Sequence, residues 1–268
     1  MELAVEGGVT MNEKRTANRL RGFNAGMAVL HTAQGAAILA LSNGVTVPIQ
    51  TSFLRFNEGS QSLETSTRTV VDLQLAPLVA AFLFISALAH ALVVLPGVHG
   101  WYLANLRRSI NYVRWWEYAA SASLMIAVIA ILPGMFDLPS LILIFSLNAM
   151  MLFFGLLMET NNRPGDRVNW TPFYFGCIAG GVPWAVIALY LWSPGTGPGN
   201  PPGFVYAIFF SLFVWYTLFA LNMWLQYRRI GPWRRYVFGE YGYIVLSLTA
   251  KSLLAWQVFA GALTVPID

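Results

Sequence analysis

Charged side chains are few: 16 lysines and arginines and 12 aspartates and glutamates make up 10% of 268 residues, against roughly 25% in ordinary soluble domains. That shortage excludes a water-soluble globule, which needs more polar surface than these residues supply. Cysteine occurs once, as Cys177, so no intramolecular disulfide can form. The three histidines and single cysteine show no metal-ligand spacing, so no metal site is expected. A net charge of +4 carries no nucleic-acid signal. Hydrophobic residues, in contrast, reach 57% and aromatics 15%, the composition of helices dissolved in lipid. The chain is expected to be an all-α membrane protein, a single domain over 1–268 with membrane lipids as its surroundings.

Windows of about 20 apolar residues predict seven spans near 23–43, 73–95, 110–133, 138–158, 172–193, 203–227 and 241–264. Residues 1–22 hold Glu2, Glu6, Glu13, Lys14, Arg15, Arg19 and Arg21 without an apolar core or cleavage pattern. They read as a tail before a retained first helix. Basic residues cluster on one side: four in this tail, then Arg107 and Arg108, Arg163 and Arg167, and Arg228, Arg229, Arg234 and Arg235. The other side has only Arg55 and Arg68, balanced by Glu58, Glu64 and Asp72. The positive-inside rule then predicts a cell-membrane protein with its N-terminus in the cytoplasm and its C-terminus outside.

One long loop, 44–72, falls on the external side. Val45, Val47 and Ile49 alternate with Thr46, Pro48 and Gln50, a turn signal follows at Asn57-Glu58-Gly59-Ser60, and 65–71 is again rich in β-branched residues. A short β-hairpin is predicted, and because an isolated hairpin is marginal it is expected to pack on the bundle or on a second copy.

Within the spans, two deep ionisable residues of opposite sign stand out, Lys251 in the seventh and Glu117 in the third. Intramembrane charges are rare, usually paired and functional. Lys251 lies ten residues into its predicted helix, about 15 Å deep, and Glu117 about 10 Å. Ser247, one turn before Lys251, adds a hydroxyl at the depth of Glu117. His31, His90, Ser86, Gln34 and Asn148 bring further polar atoms to that half, whereas the external halves read as apolar. Blander readings stand beside these. The lysine and glutamate also fit a structural ion pair, and each histidine a packing role. Arg114, one turn before Glu117, is expected to reach the interface or to share the carboxylate.

A desolvated lysine attacks carbonyls and forms Schiff bases. Trp184, Phe210, Trp215, Tyr216 and Trp256 offer aromatic walls, and Met150, Met151 and Gly155 an adaptable one. Together they predict a slot for a long, apolar, polyene-like aldehyde.

The stretch Ser247-Leu248-Thr249-Ala250-Lys251-Ser252-Leu253-Leu254-Ala255-Trp256-Gln257 closely resembles the seventh helix of heliorhodopsins, and Arg114-Trp115-Trp116-Glu117-Tyr118 their third. Phe175 to Gly180 and Pro202 to Tyr206 are similar to the family's fifth and sixth helices, and the resemblance covers nearly all of 20–264. It implies a seven-transmembrane-helix rhodopsin-like bundle with the hairpin in the first external loop. It also implies all-trans retinal on Lys251 as a protonated Schiff base, with Glu117 as counterion and Ser247 as their hydrogen-bond partner. His31 and His90 match histidines considered as proton acceptors. Asn148, Trp184, Tyr216 and Trp256 map to the pocket, with Tyr216 standing where other members can have phenylalanine, a departure bearing on colour. The hairpin implies a homodimer.

The external half lacks a carboxylate to receive a proton, Asp137 lying at a helix mouth. The expected function is therefore a light sensor, not an enzyme, that returns its proton internally and signals to a cytoplasmic partner through the arginine-rich connections. A light-driven pump or light-gated channel on the same scaffold, and a retinal-free transporter using the ion pair, are the alternatives.

Overall fold

The computed structural model describes residues 11–162, 167–195 and 200–263. Glu2, Glu6 and Arg163 from the charge pattern lie outside them. Seven long helices and a short one appear among these residues: α1 (Met11–Leu41), α2 (Leu75–Val94), α3 (Val98–Arg107), α4 (Tyr112–Ile131), α5 (Leu138–Asn161), α6 (Thr171–Trp192), α7 (Gly203–Tyr227) and α8 (Tyr236–Val258), the last continued by a π-helical turn, Phe259–Leu263. The long helices form a ring in chain order, and α8 closes it against α1 and α2.

Three boundaries correct the sequence reading. The first helix already includes Met11 rather than beginning near 23, because 11–22 contains several good helix formers and no proline, and the single Gly22 is tolerated. At 1.5 Å per residue its 31 residues span about 46 Å, longer than the roughly 30 Å hydrocarbon core. The second-to-third connection, expected to be loop, folds largely as α3, entered through Gly97 at φ 85°. The last helix begins at Tyr236, five residues before the expected 241.

Local signals explain the other starts. Asn111 caps α4, its side chain accepting from Arg114 N at 3.1 Å, and Asp137 caps α5, accepting from Ser140 N at 3.0 Å. Prolines occupy the first turns of α5 and α6. Five helices, α2, α5, α6, α7 and α8, are long and apolar enough to cross a membrane. The first half of α1 is charged, and α4 carries Arg114 and Glu117.

The hairpin pairs β1 (Thr46–Asn57) with β2 (Ser62–Gln74) antiparallel, with a register irregularity between Ile49 and Gln50. At its tip Asn57 Oδ1 accepts from Gly59 N at 2.9 Å, an Asx turn, and Gln61 adopts φ 51°. Glu64 accepts from Asn57 Nδ2 and Ser60 Oγ, which hold its carboxyl below the usual range. The base docks on the bundle: Gln50 N donates to Phe136 O at 2.8 Å and Ile49 is buried. Towards the tip, Phe53, Leu54, Phe56 and Leu63 remain exposed.

The main core lies in the hairpin half of the bundle. Phe82, Ile126, Ile129, Ile187, Ile208, Leu254 and Val258 are among its buried members, so association there rests on apolar side-chain packing. The opposite half is built differently.

Candidate functional site

In that opposite half, polar residues recur on one face of α4 as Asn111, Arg114, Glu117 and Ser121, and of α8 as Glu240, Ser247 and Lys251. Spacings of three, four and seven repeat with the helical period, so each series forms a stripe. Where the two stripes meet, Lys251 Nζ stands 3.2 Å from Glu117 Oε1 and donates to Ser247 Oγ at 2.7 Å. The same carboxylate oxygen accepts from Ser86 Oγ of α2 at 2.5 Å and from Ser121 Oγ at 2.6 Å. Three donors therefore stabilise one buried carboxylate. Lys251 is 2% exposed. Its ammonium also sits 4.9 Å from the centre of the Tyr118 ring, within cation–π range.

Lys251 and Ser247 line a cavity of about 340 Å³, within the size range of small-molecule sites. Trp115, Tyr118 and Met125 of α4, Met151 and Gly155 of α5, Gly180 and Trp184 of α6, and Phe213, Tyr216 and Phe219 of α7 line it. Trp184 meets Tyr216 edge-on at 5.3 Å, and Tyr216 is fixed by donating to Ala122 O at 2.8 Å. Glycines permit the narrow walls: a Cβ on Gly155 would overlap the Trp115 indole, and one on Gly180 the Met151 sulfur. A buried amine in the wall of an aromatic slot fits a long apolar ligand bearing a carbonyl.

On the other side of Tyr118 lies a second, polar cavity of about 40 Å³, bordered by Asn24, His90, Tyr102, Asn111, Arg114, Glu117 and Glu240. It is large enough for about one water. His31 and His90 stack at 5.7 Å, nearly parallel, and His90 Nδ1 bonds Asn24 Oδ1 at 2.7 Å. Both ring nitrogens of His31 are buried with no hydrogen-bond partner among the described residues.

Several expected site residues lie elsewhere. Trp256 is exposed and its Nε1 donates to Gln34 Oε1 at 3.2 Å, so neither joins the slot or the histidine pair. Five residues past Lys251 is about 140° around the helix from it. Asn148 is buried but outside the slot, donating to Ser123 Oγ at 3.1 Å and tying α5 to α4. Met150, one residue from the lining Met151, points outward, as does Phe210.

The sequence reading also missed a second charged layer. Arg114 does not reach the interface and does not touch Glu117. It is buried and ion-paired with Glu159 of α5 and Glu240 of α8. Asn111 N and Trp115 Nε1 donate to Glu159 at 2.9 and 2.6 Å, Tyr236 OH donates to it at 2.9 Å, and Asn111 Nδ2 donates to Glu240 at 2.7 Å. The guanidinium stacks 4.0 Å over Tyr243. Trp115 thus joins this layer to the slot wall. The hydropathy windows stopped at 158 and restarted at 241, leaving each carboxylate one residue outside; the spacing of Glu240 to Ser247 and Lys251 was the available signal. Among the described residues no group of acids, histidines and cysteine could hold a metal.

Seven helices around a buried lysine–carboxylate pair and an apolar slot have the architecture of a microbial rhodopsin. The structure is similar to the crystal structure of a light-driven proton pump, LR (Mac), from Leptosphaeria maculans, with a TM-score of 0.62 over 90% of this chain and 94% of that one, at 14% identity. At that identity the likeness speaks for the fold. The sequence model of the heliorhodopsin family matches residues 20–263, and the chain belongs to that family. Family and fold together support a retinal-binding microbial rhodopsin in a membrane. A search of curated proteins finds no match.

Truncating Arg114 to alanine leaves two buried carboxylates without their cation, which costs about 3–5 kcal/mol. Thermal unfolding of the purified protein is expected to fall accordingly; an unchanged melting curve would show that the three-helix clamp contributes nothing.

Proposed function

We propose that this protein is a light sensor, with all-trans retinal held on Lys251 and Glu117 as its counterion. The observation that carries the reading is the buried Lys251–Glu117 pair, whose lysine lines the apolar slot, in a chain of a retinal-binding family. Bound there, retinal supplies a chromophore that absorbs visible light and changes shape.

The protein's own groups direct the proton. Glu117, held by Ser86 and Ser121, stabilises positive charge at the lysine nitrogen, and Ser247 orients that nitrogen. A proton leaving Lys251 has Glu117 within reach, then the His90–Asn24 pair and His31 beyond the polar cavity. Trp184, Tyr216 and Met151 exclude water and fix the ligand's orientation. Towards the hairpin the helices carry no aspartate or glutamate within their spans, and Asp137 is engaged in capping α5. With no carboxylate to pass a proton on, the arrangement favours internal return over transport. The arginine distribution supports a cytoplasmic N-terminus and an external hairpin. A cytoplasmic signalling partner belongs to the same reading.

An absorption spectrum tests the assignment. Protein given all-trans retinal is expected to develop a visible band, Lys251→Ala to lack it, and Glu117→Gln to shift it to the red and, as pH is raised, to lose it at a lower pH than wild type does. No band in the wild type would sink the photoreceptor reading in favour of a retinal-free transporter, and a retained band in Lys251→Ala would overturn the assignment of the Schiff base to Lys251.

Illuminated cell suspensions separate sensing from pumping. No sustained change of external pH is expected; a shift abolished by protonophore would overturn the sensor reading.

We also propose that two copies pair through the exposed apolar tip of the hairpin. Leu54→Glu with Phe56→Glu is expected to move the detergent-solubilised protein from dimer to monomer mass in light-scattering chromatography while leaving the visible band intact. An unchanged mass would place any dimer contact elsewhere.

A further inference from the structure

The turn joining α7 to α8 is densely basic and exposed. Residues 228–239 hold four arginines and no acid. Arg228, Arg229, Arg234 and Arg235 are all exposed, and among the described residues none is ion-paired. This contrasts with Arg114, buried between two carboxylates. Apolar side chains are interleaved with these charges: Ile230 is 43% exposed and Phe238 42%.

The turn is also pinned. Trp233 Nε1 donates to Asn222 Oδ1 at 2.8 Å, Asn222 Nδ2 to Gly239 O at 3.1 Å, and Gln226 Nε2 to Tyr236 O at 3.2 Å. A Cβ on Gly239 or Gly242 would collide with Gln226 or Asn222, so glycine admits both tethers. Arg229 and Gly231 take left-handed backbone angles, both φ 53°, which tighten the bend. Arg234 Nε donates to Arg229 O at 3.3 Å, fastening the second pair of arginines to the first. Arg228 lies over Trp170 at 5.3 Å and Trp224 at 5.8 Å, aromatics at the helix ends.

We propose that this turn binds the phosphate of an anionic phospholipid. Guanidinium groups match phosphate oxygens in a bidentate fork, and the turn lies at the ends of two membrane-spanning helices, at headgroup depth. Ile230 and Phe238 meet the adjoining acyl boundary, as amphipathic anchors do. Loose basic loops suffice to orient a chain during insertion. A turn whose backbone is held by three side-chain tethers, with Arg228 stacked on tryptophan and Arg234 bonded back to the turn, has less freedom left to lose on binding. A soluble acidic protein would meet the charges but would leave Ile230 and Phe238 without an apolar phase.

The test uses purified full-length protein exchanged into mixed micelles of equal amounts of phosphatidylcholine and phosphatidylserine, with retained lipid read by native mass spectrometry. The readout requires no chromophore and no knowledge of orientation, so it is independent of the photoreceptor reading. Wild type is expected to retain phosphatidylserine preferentially. Replacing all four arginines by glutamine is expected to lower that preference by about tenfold or more. Arg107→Gln with Arg108→Gln, which removes two exposed charges from the end of α3 and its cap, is expected to leave it nearly unchanged. If the quadruple variant fails to fold, Arg229→Gln with Arg235→Gln provides the comparison, with a smaller loss in the same direction. No preference in the wild type, or equal loss from the Arg107 and Arg108 pair, would overturn the proposal. Binding of a polyglutamate peptide without any lipid preference would overturn it in favour of a protein partner.

Discussion

Hydrocarbon does not solvate an ammonium ion, and the polar half of this bundle is arranged around that constraint. Lys251 sits where its charge must be met by protein alone, and the answer is a carboxylate on the facing helix with two serines holding the same oxygen. Because α8 delivers Ser247 one turn before Lys251 and α4 delivers Ser121 one turn after Glu117, helical periodicity assembles four of the five groups from two helices. Ser86 of α2 completes the set. The helices cannot slide or rotate without leaving a charge bare, so the pair specifies register as well as chemistry.

The Arg114 layer extends the same logic toward the arginine-rich end. One guanidinium meets carboxylates from α5 and α8, and the remaining acceptor sites are filled by Asn111, Trp115 and Tyr236. Buried ion pairs are costly to desolvate and weak evidence for net stability. Their value here is positional. Trp115 belongs both to this layer and to the slot, and Tyr118 borders both cavities while lying beside the ammonium. A change in charge or shape at Lys251 therefore meets side chains that are themselves tied to three helix ends.

Among the described residues the opposite, hairpin half has no comparable polar stripe. Its interior is apolar packing of α2, α4, α6, α7 and α8, with the hairpin base docked on top. Polar and apolar halves meet near Lys251, so the amine borders an apolar slot on one side and the polar stripe on the other. Glycines at 155 and 180 narrow the slot by letting Trp115 and Met151 approach backbone.

Much of this was legible in order along the chain. Scarce charge and seven apolar windows define a helical membrane bundle, alternation defines the hairpin, and the isolated Lys251 and Glu117 single themselves out because charge in lipid is so unfavourable. Periodicity alone placed Ser247 with them. The rest depended on neighbours that composition does not name. Arg114 reads as a snorkelling residue until Glu159 and Glu240 arrive from distant segments, and both carboxylates lie one residue beyond the ends of their hydropathy windows. Trp256 and Asn148 map to the pocket by resemblance, but side-chain direction, set by 100° per residue and by helix packing, turns one outward and the other to Ser123. Class, helices and the pair of opposite charges were therefore written in the order of residues, because those follow from local composition and period. Which polar groups share an oxygen, which aromatics face the slot and which arginines are paired came only with the folded bundle, because each depends on how separate helices are rotated against one another.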